Sequence, residues 1–237
     1  MNFTPRPRRF IFSLLAFVVF GLCATSAFAE GIYLIGPDTQ KLVPPDTILD
    51  LNHQGNAQTE SGGVGFNGSD FRFSDADAPG HFVSGPHNRT IQFSATGAAT
   101  PGNLAILFNI NEANGQNRGS IILQSLVLTA YNSQTGAATF IGSFSSTTPL
   151  PQFRPAQGSS ADYVFGLTPD AQARLQAALL ADPNLRLGLF ARINDVQGGP
   201  ERFGFVSVAA IPEPASMLLL GTGLIGVAGA ARRRFRT

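Results

Sequence analysis

The strongest constraint on this chain sits at its C-terminus, where Pro212-Glu213-Pro214 is followed by an apolar run from Ala215 to Ala231 and then by Arg232, Arg233, Arg234 and Arg236. No charged side chain interrupts 215–231, and Met217, Leu218, Leu219, Leu220, Leu224, Ile225 and Val227 favour hydrocarbon over water. As a helix the run reaches roughly 25 Å, slightly under the ~30 Å apolar core of a bilayer, so it spans with little tilt to spare. Segments rich in Lys and Arg are retained on the cytoplasmic side, and the arginine cluster therefore predicts a single pass with everything before Pro212 outside the inner membrane. The two prolines remove backbone donors and bias Ile211 and Glu213 toward extended conformations. An accessible peptide is expected where the chain meets the membrane.

That order of parts, Pro-Glu-Pro, a short glycine-bearing apolar segment and a terminal arginine cluster, resembles the PEP-CTERM sorting signal of Gram-negative bacteria over Ile211 to Thr237. The resemblance implies that Pro212, Glu213 and Pro214 are recognised by a membrane-embedded, cysteine-dependent exosortase that removes the tail. It also implies an association of the delivered protein with exopolysaccharide and biofilm.

The other end of the chain carries a second address. Arg6, Arg8 and Arg9 precede an apolar stretch from Phe10 to about Cys23, and Ala27-Phe28-Ala29 follows as a small-x-small site, which predicts a secretory signal peptide over 1–29 cut by signal peptidase after Ala29. Leu22, before Cys23, is not the small residue of a lipoprotein signal. Pro7, before Arg8-Arg9, favours general secretion over a twin-arginine route.

With both ends set aside, 9 basic and 14 acidic side chains remain over 30–211, a net charge of −5 where the whole chain reads +1. An acidic domain with no basic patch gains nothing from phosphate counterion release, which argues against nucleic acid as a partner. The one cysteine lies in the signal peptide, so neither disulfides nor thiolate chemistry is expected in the exported part. Its stability must come from a core, and about 180 residues suffice for one domain.

Within 30–211, short apolar pieces at Ile32 to Ile35 and Ile48 to Leu51 read as edge strands or loops, and Asn52 to Gly65, glycine-rich and without periodicity, reads as an exposed loop. A strand is expected near Asp70 to Phe73, and alternation marks Arg89 to Ser94 and, more clearly, Leu104 to Asn111. Ser120 to Tyr131 and Ala137 to Phe144, separated by turn residues, predict a hairpin. Tyr163 to Leu167, Leu187 to Ile193 and Phe203 to Phe205 complete the strands. One helix is expected over about 168–182, with Thr168 as cap, Pro169 in the first position, Asp170 at the positive end, Ala171, Leu175, Ala178 and Leu179 on the buried face, and Asp182-Pro183 as the stop. The whole predicts an all-β fold, an antiparallel β-sandwich of jelly-roll type with phenylalanine as the main core filler.

Chemistry-bearing patterns are sparse. Asp70, Asp75 and Asp77, with Gly68 and Ser69, supply oxygen donors of the kind calcium takes, although not at EF-hand spacing. His53, His81 and His87 lack a carboxylate at zinc-ligand spacing and read as loop or strand-end residues. Asp162, Asp170, Asp182, Asp195 and Glu201 are the carboxylates to search for a glycosidase pair, with Asp182 and Asp170 better explained by helix ends and Asp195 by a turn before Gly198-Gly199-Pro200. Gly-x-Ser-x-Gly is absent, and Gly63, Gly65 and Gly68 match a dinucleotide fingerprint without its strand-to-helix setting. No catalytic residue and no cofactor other than calcium is expected. Three readings follow: a non-enzymatic exported surface or matrix protein, a lectin-like module whose sugar platform would fall to Tyr33, Tyr131 and Tyr163 in the absence of Trp, and a secreted hydrolase.

Overall fold

The structure, a computed structural model, describes residues 31–52, 58–76, 82–83, 87–111, 120–152, 162–196 and 199–208. The signal peptide with Ala27 and Ala29, the Pro212-Glu213-Pro214 junction, the 215–231 run and the terminal arginines lie outside the described residues. Among those described, no helix is long and apolar enough to cross a membrane.

In chain order the strands are β1 (Ile32–Pro37), β2 (Thr47–Asn52), β3 (Thr59–Phe66), β4 (Asp70–Phe73), β5 (Ile91–Gln92), β6 (Leu104–Asn109), β7 (Ser120–Tyr131), β8 (Ala138–Phe144), β9 (Leu150–Pro151), β10 (Tyr163–Leu167), β11 (Arg186–Asn194) and β12 (Pro200–Ser207). The helix α1 (Pro169–Ala181) stands between β10 and β11. Every pairing between these strands is antiparallel. They form a five-stranded sheet in the order β1-β10-β6-β12-β2 and a seven-stranded sheet in the order β4-β3-β11-β7-β8, with β5 added on β11 and β9 on β7.

Four nested pairs explain this order: β2 with β12, β3 with β11, β6 with β10, and β7 with β8. They are the rungs of one long antiparallel ribbon that doubles back at the β7–β8 hairpin. Rolling the ribbon deals successive pairs alternately to the two sheets, and contacts of β6 with β12 and of β7 with β11 knit each sheet together. That wrapping is a jelly roll, the antiparallel sandwich type expected from a run of short strands separated by turn residues.

The inward faces supply one core. Leu104, Ile106 and Phe108 of β6, Phe165 of β10, and Phe203 and Phe205 of β12 meet Leu126 and Leu128 of β7, Leu187, Leu189 and Ile193 of β11, and Ile141 of β8. Each such side chain contributes about 1.5–3 kcal/mol on burial. Phe108 and Phe203 stack with centroids 4.4 Å apart, and Phe144 meets Phe165 edge-on across the sheets at 5.0 Å. Leu and Ile, rather than Phe, make up most of this core, while Phe71, Phe73 and Phe140 point outward and stay exposed. The expectation that phenylalanine is the main filler is corrected to that extent.

The expected loop over 52–65 is also corrected, because β3 occupies its second half and is buried along most of its length. Periodicity fails to report this strand since its burial is supplied by neighbours. A Cβ built at Gly63 would stand 2.6 Å from the Phe73 ring and one at Gly65 2.5 Å from the Phe71 ring, so the two rings of β4 lie over bare backbone. Aromatic cover of this kind restores contacts that glycine cannot make in a strand. The span 89–94 is strand only at β5, after which Phe93–Thr96 forms a 3-10 turn.

The helix follows its signals. The Thr168 hydroxyl accepts from the Ala171 N–H at 3.4 Å, Pro169 fills the first position, and Ala171 and Leu175 are buried. It packs against β8 and β10, and Arg174 Nε donates to the Ile141 carbonyl at 2.8 Å.

Candidate functional site

Because β1 and β2 are the two edges of the five-stranded sheet, the chain between them must cross its outer face. Residues 38–46 form that strap. Its first turn is set by Asp38, whose carboxylate accepts from Gln40 N–H at 2.9 Å and Leu42 N–H at 2.6 Å. Leu42 then packs on Ala105, Leu107 and Val164. Pro44 rests on Gly204, where a Cβ would come within 2.5 Å of Pro44 Cβ and 2.8 Å of the Asp46 carbonyl oxygen. Only glycine permits so close an approach. Between strap and sheet lies a cleft of about 230 Å³, lined by Val43, Pro44, Asp46, Thr47, His87, Leu107, Asn109 and Arg202 among others.

The polar side of this cleft rests on a buried carboxylate. Asp50 of β2 is fully buried, and its Oδ2 accepts from Arg202 Nε at 3.1 Å, while Oδ1 has no hydrogen-bond partner. Burial pushes the Asp50 carboxyl above its ordinary value, against the opposing influence of Arg202 and, more weakly, His87. Asn88, in a left-handed conformation (φ 63°), accepts from Asp50 N–H at 2.7 Å and donates to the Val83 carbonyl at 2.9 Å. That pairing turns the chain so that His87 faces the cleft. His87 Nδ1 is buried without a partner. Asp46, on the strap, is paired with Arg89 at 2.5 Å.

The sequence-predicted site residues fall elsewhere. Asp70 accepts from Thr90 N–H at 3.0 Å and from the Thr90 hydroxyl, and pairs with Arg186 at 3.4 Å. Asp75 pairs with Arg192 at 3.0 Å. Each carboxylate thus meets its own arginine, Asp77 lies outside the described residues, and no group of three His, Cys, Asp or Glu side chains converges on one point among the described residues. Of the histidines, only His87 is described, and it is the one at the cleft.

Two of the carboxylates searched for a hydrolytic pair are held by hydrogen bonds within the fold. Asp162 Oδ2 accepts from Ile110 N–H at 3.0 Å, and Asp182 accepts from Ser133 N–H, the Ser133 hydroxyl and Asn184 N–H. Those bonds, first the one from Ser133 N–H, hold the Asp182 carboxyl below its ordinary range. Asp195 sits in a left-handed turn (φ 62°), and Glu201 is fully buried. Two of the three tyrosines are buried as well. Tyr163 donates to the Pro151 carbonyl at 2.8 Å, and burial pushes its phenol up to about 12. The sugar platform expected of Tyr131 and Tyr163 is therefore not on the surface.

Arg202, Asp50 and Asn109 escape sequence reasoning, and His87 enters it only as a loop or strand-end histidine. They come from three strands and a loop, with no local spacing to join them. The alternation of β12 does carry a hint, since Arg202 is out of phase with Phe203 and Phe205 and so belongs to the outer face.

Comparison with known proteins bears on the tail. Residues 210–234 match the PEP-CTERM protein-sorting motif. No curated protein and no solved structure matches the chain. The motif marks an exported protein of the kind that an exosortase sorts to the surface of Gram-negative bacteria.

Proposed function

We propose that this chain is a non-enzymatic matrix protein, held briefly in the inner membrane by 215–231, released by exosortase cleavage at Pro212-Glu213-Pro214, and retained at the cell surface with exopolysaccharide. The observation that carries this reading is the sorting motif at 210–234 attached to a jelly-roll domain. The non-enzymatic part draws support from the carboxylates, because Asp70, Asp75, Asp162 and Asp182 are consumed by ion pairs and backbone hydrogen bonds.

Intact-mass measurement of the protein recovered from cells with and without exosortase tests the processing. The expected result is a species lacking the tail in normal cells and a full-length C-terminus when the enzyme is absent. Retention of 215–237 in normal cells would defeat the reading. Replacing Pro212, Glu213 and Pro214 by alanine should leave the protein in the membrane fraction, and fractionation of the polysaccharide layer should recover it only from cells with the intact motif.

A further inference from the structure

Gly31 is built into the fold rather than trailing from it. It is buried, has a φ of 105°, and forms a parallel bridge with Ser143 of β8. Its carbonyl accepts from Thr168 N–H at 3.0 Å. A Cβ at this position would lie 2.7 Å from Arg174 Nη2, 2.8 Å from Gly142 Cα and 3.1 Å from Ala171 Cβ, so β8 and α1 enclose the seat. Arg174 is itself held, through Nε on the Ile141 carbonyl and with its guanidinium over the Phe140 ring. The next residue, Ile32, is fully buried and pairs with Leu167 of β10.

Only Glu30 stands between this seat and Ala29, after which signal peptidase is expected to cut. Peptidases act on exposed, extended backbone, and a bond beside buried, hydrogen-bonded chain is reached only when that chain opens. Reaching the Ala29–Glu30 bond in the folded domain therefore means lifting Gly31 and Ile32 out, which peels the start of β1 from both β8 and β10. We propose that the fold occludes its own signal-peptide cleavage bond. Water adds across Ala29–Glu30, leaving a carboxylate on Ala29 and an ammonium on Glu30, only while β1 is undocked, and a chain that folds first persists as a precursor anchored at both ends. The fold accommodates that precursor, because its two ends leave from one pole. Ala171 and Arg174 of α1 border the Gly31 seat, while Gln172 lies beside Gly102, next to Asn103, which holds Val208 through bonds of 2.8 and 3.0 Å. The proposal orders the processing steps of the matrix reading and rests on that reading's export route.

The test is cleavage of the full-length chain by purified signal peptidase in detergent, after refolding with the signal peptide in place and with folding checked by a cooperative melt. A synthetic peptide spanning 20–36 is the unfolded reference. The peptide should be cut readily and the folded chain at least about 100-fold more slowly, the scale set by opening a docked strand. A Gly-Ser spacer of about six residues between Glu30 and Gly31, up to roughly 20 Å long, moves the bond clear and should return the folded chain to within about threefold of the peptide. The same spacer between Val208 and Pro212 should change nothing. A folded wild-type chain cut as fast as the spacer chain, a spacer chain that stays slow, or relief by the insertion before Pro212 overturns the proposal. Sequencing the N-terminus of protein recovered from cells separates the two readings. A start other than Glu30 removes the export step as read, whereas a start at Glu30 beside rapid cutting of the folded chain removes the occlusion alone.

Discussion

On the outer face of the five-stranded sheet, Ala105, Leu107 and Val164 lie buried under the 38–46 strap, whereas on the outer face of the seven-stranded sheet Phe71 and Phe73 stand 38% and 39% exposed. Apolarity does not account for the difference, since both faces carry large apolar side chains. Connectivity does. The chain must pass from one edge of the smaller sheet to the other, and the passage covers the face and leaves a cleft beside it. No connection crosses the larger sheet among the described residues, so its glycine strand is sheltered by side chains of its own neighbour, β4, and its arginines are held by Asp70 and Asp75.

The sharpest way to break this comparison is to add one methyl group on each face. Gly204→Ala pushes a Cβ into Pro44 and the Asp46 backbone, neither of which can swing aside, and should destabilise the domain by about 1–3 kcal/mol, as overpacking does. Gly63→Ala meets only the exposed Phe73 ring, which can rotate into solvent, and the loss should be less than about 1 kcal/mol after the gain from removing a strand glycine. Chemical denaturation of both variants measures the pair. Equal losses would mean that strap and ring are equally rigid.

A smaller effect is expected where the strap begins. Asp38→Ala removes the acceptor for two strap N–H groups and should cost about 1–2 kcal/mol, in the range of a lost side-chain cap. Hydrogen exchange should then speed up at Gln40 and Leu42 and in the strap, but not in β11. Unchanged exchange in the strap would show that its apolar contacts, not Asp38, hold it down.

The same contrast separates what the sequence discloses from what it does not. The outward Arg202 beside inward Phe203, the β7–β8 hairpin and the Thr168-capped helix are all local patterns, and each can be read from a few neighbouring residues. β3 cannot, because Gly62, Gly63 and Gly65 carry no side chains to alternate and are covered from β2 and β4 and by Phe82. The nested pairing that makes the jelly roll links residues as far apart as Thr47 and Gly204, and no window of sequence encodes such a contact. The cleft follows from that topology, so no short stretch of sequence points to its residues, while the aspartates expected to hold calcium share a short segment but face separate arginines. The sorting motif at 210–234 lies at the opposite extreme, legible from the order of its parts.

The covered face should also respond to pH in a sense opposite to ordinary acid denaturation. The Asp50 carboxyl is raised by burial, so as pH climbs through the usual carboxylate range the unfolded chain loses this proton first, and the folded state loses stability relative to it. Asp50→Asn removes that dependence. Its effect on stability should therefore move in the favourable direction between about pH 3.5 and pH 7, with Arg202 opposing the change. Urea denaturation at both values decides it. A variant that becomes more destabilising as pH rises would mean that the Arg202 pair outweighs burial.

On the uncovered face the corresponding change should matter least. Asp75 pairs with Arg192 at 3.0 Å, with the two side chains 40% and 27% exposed, and an ion pair in that setting is worth about 0–1 kcal/mol because water and salt screen it. Asp75→Asn keeps the backbone N–H bond to Ser61 Oγ and removes only the charge, so its cost should be below about 1 kcal/mol and should shrink further at ~1 M salt. Denaturation at low and high ionic strength measures both. A cost of several kcal/mol that persists in salt would mean that this carboxylate is shielded from water by something lying over the sheet, and the contrast between a covered and an open face would fail.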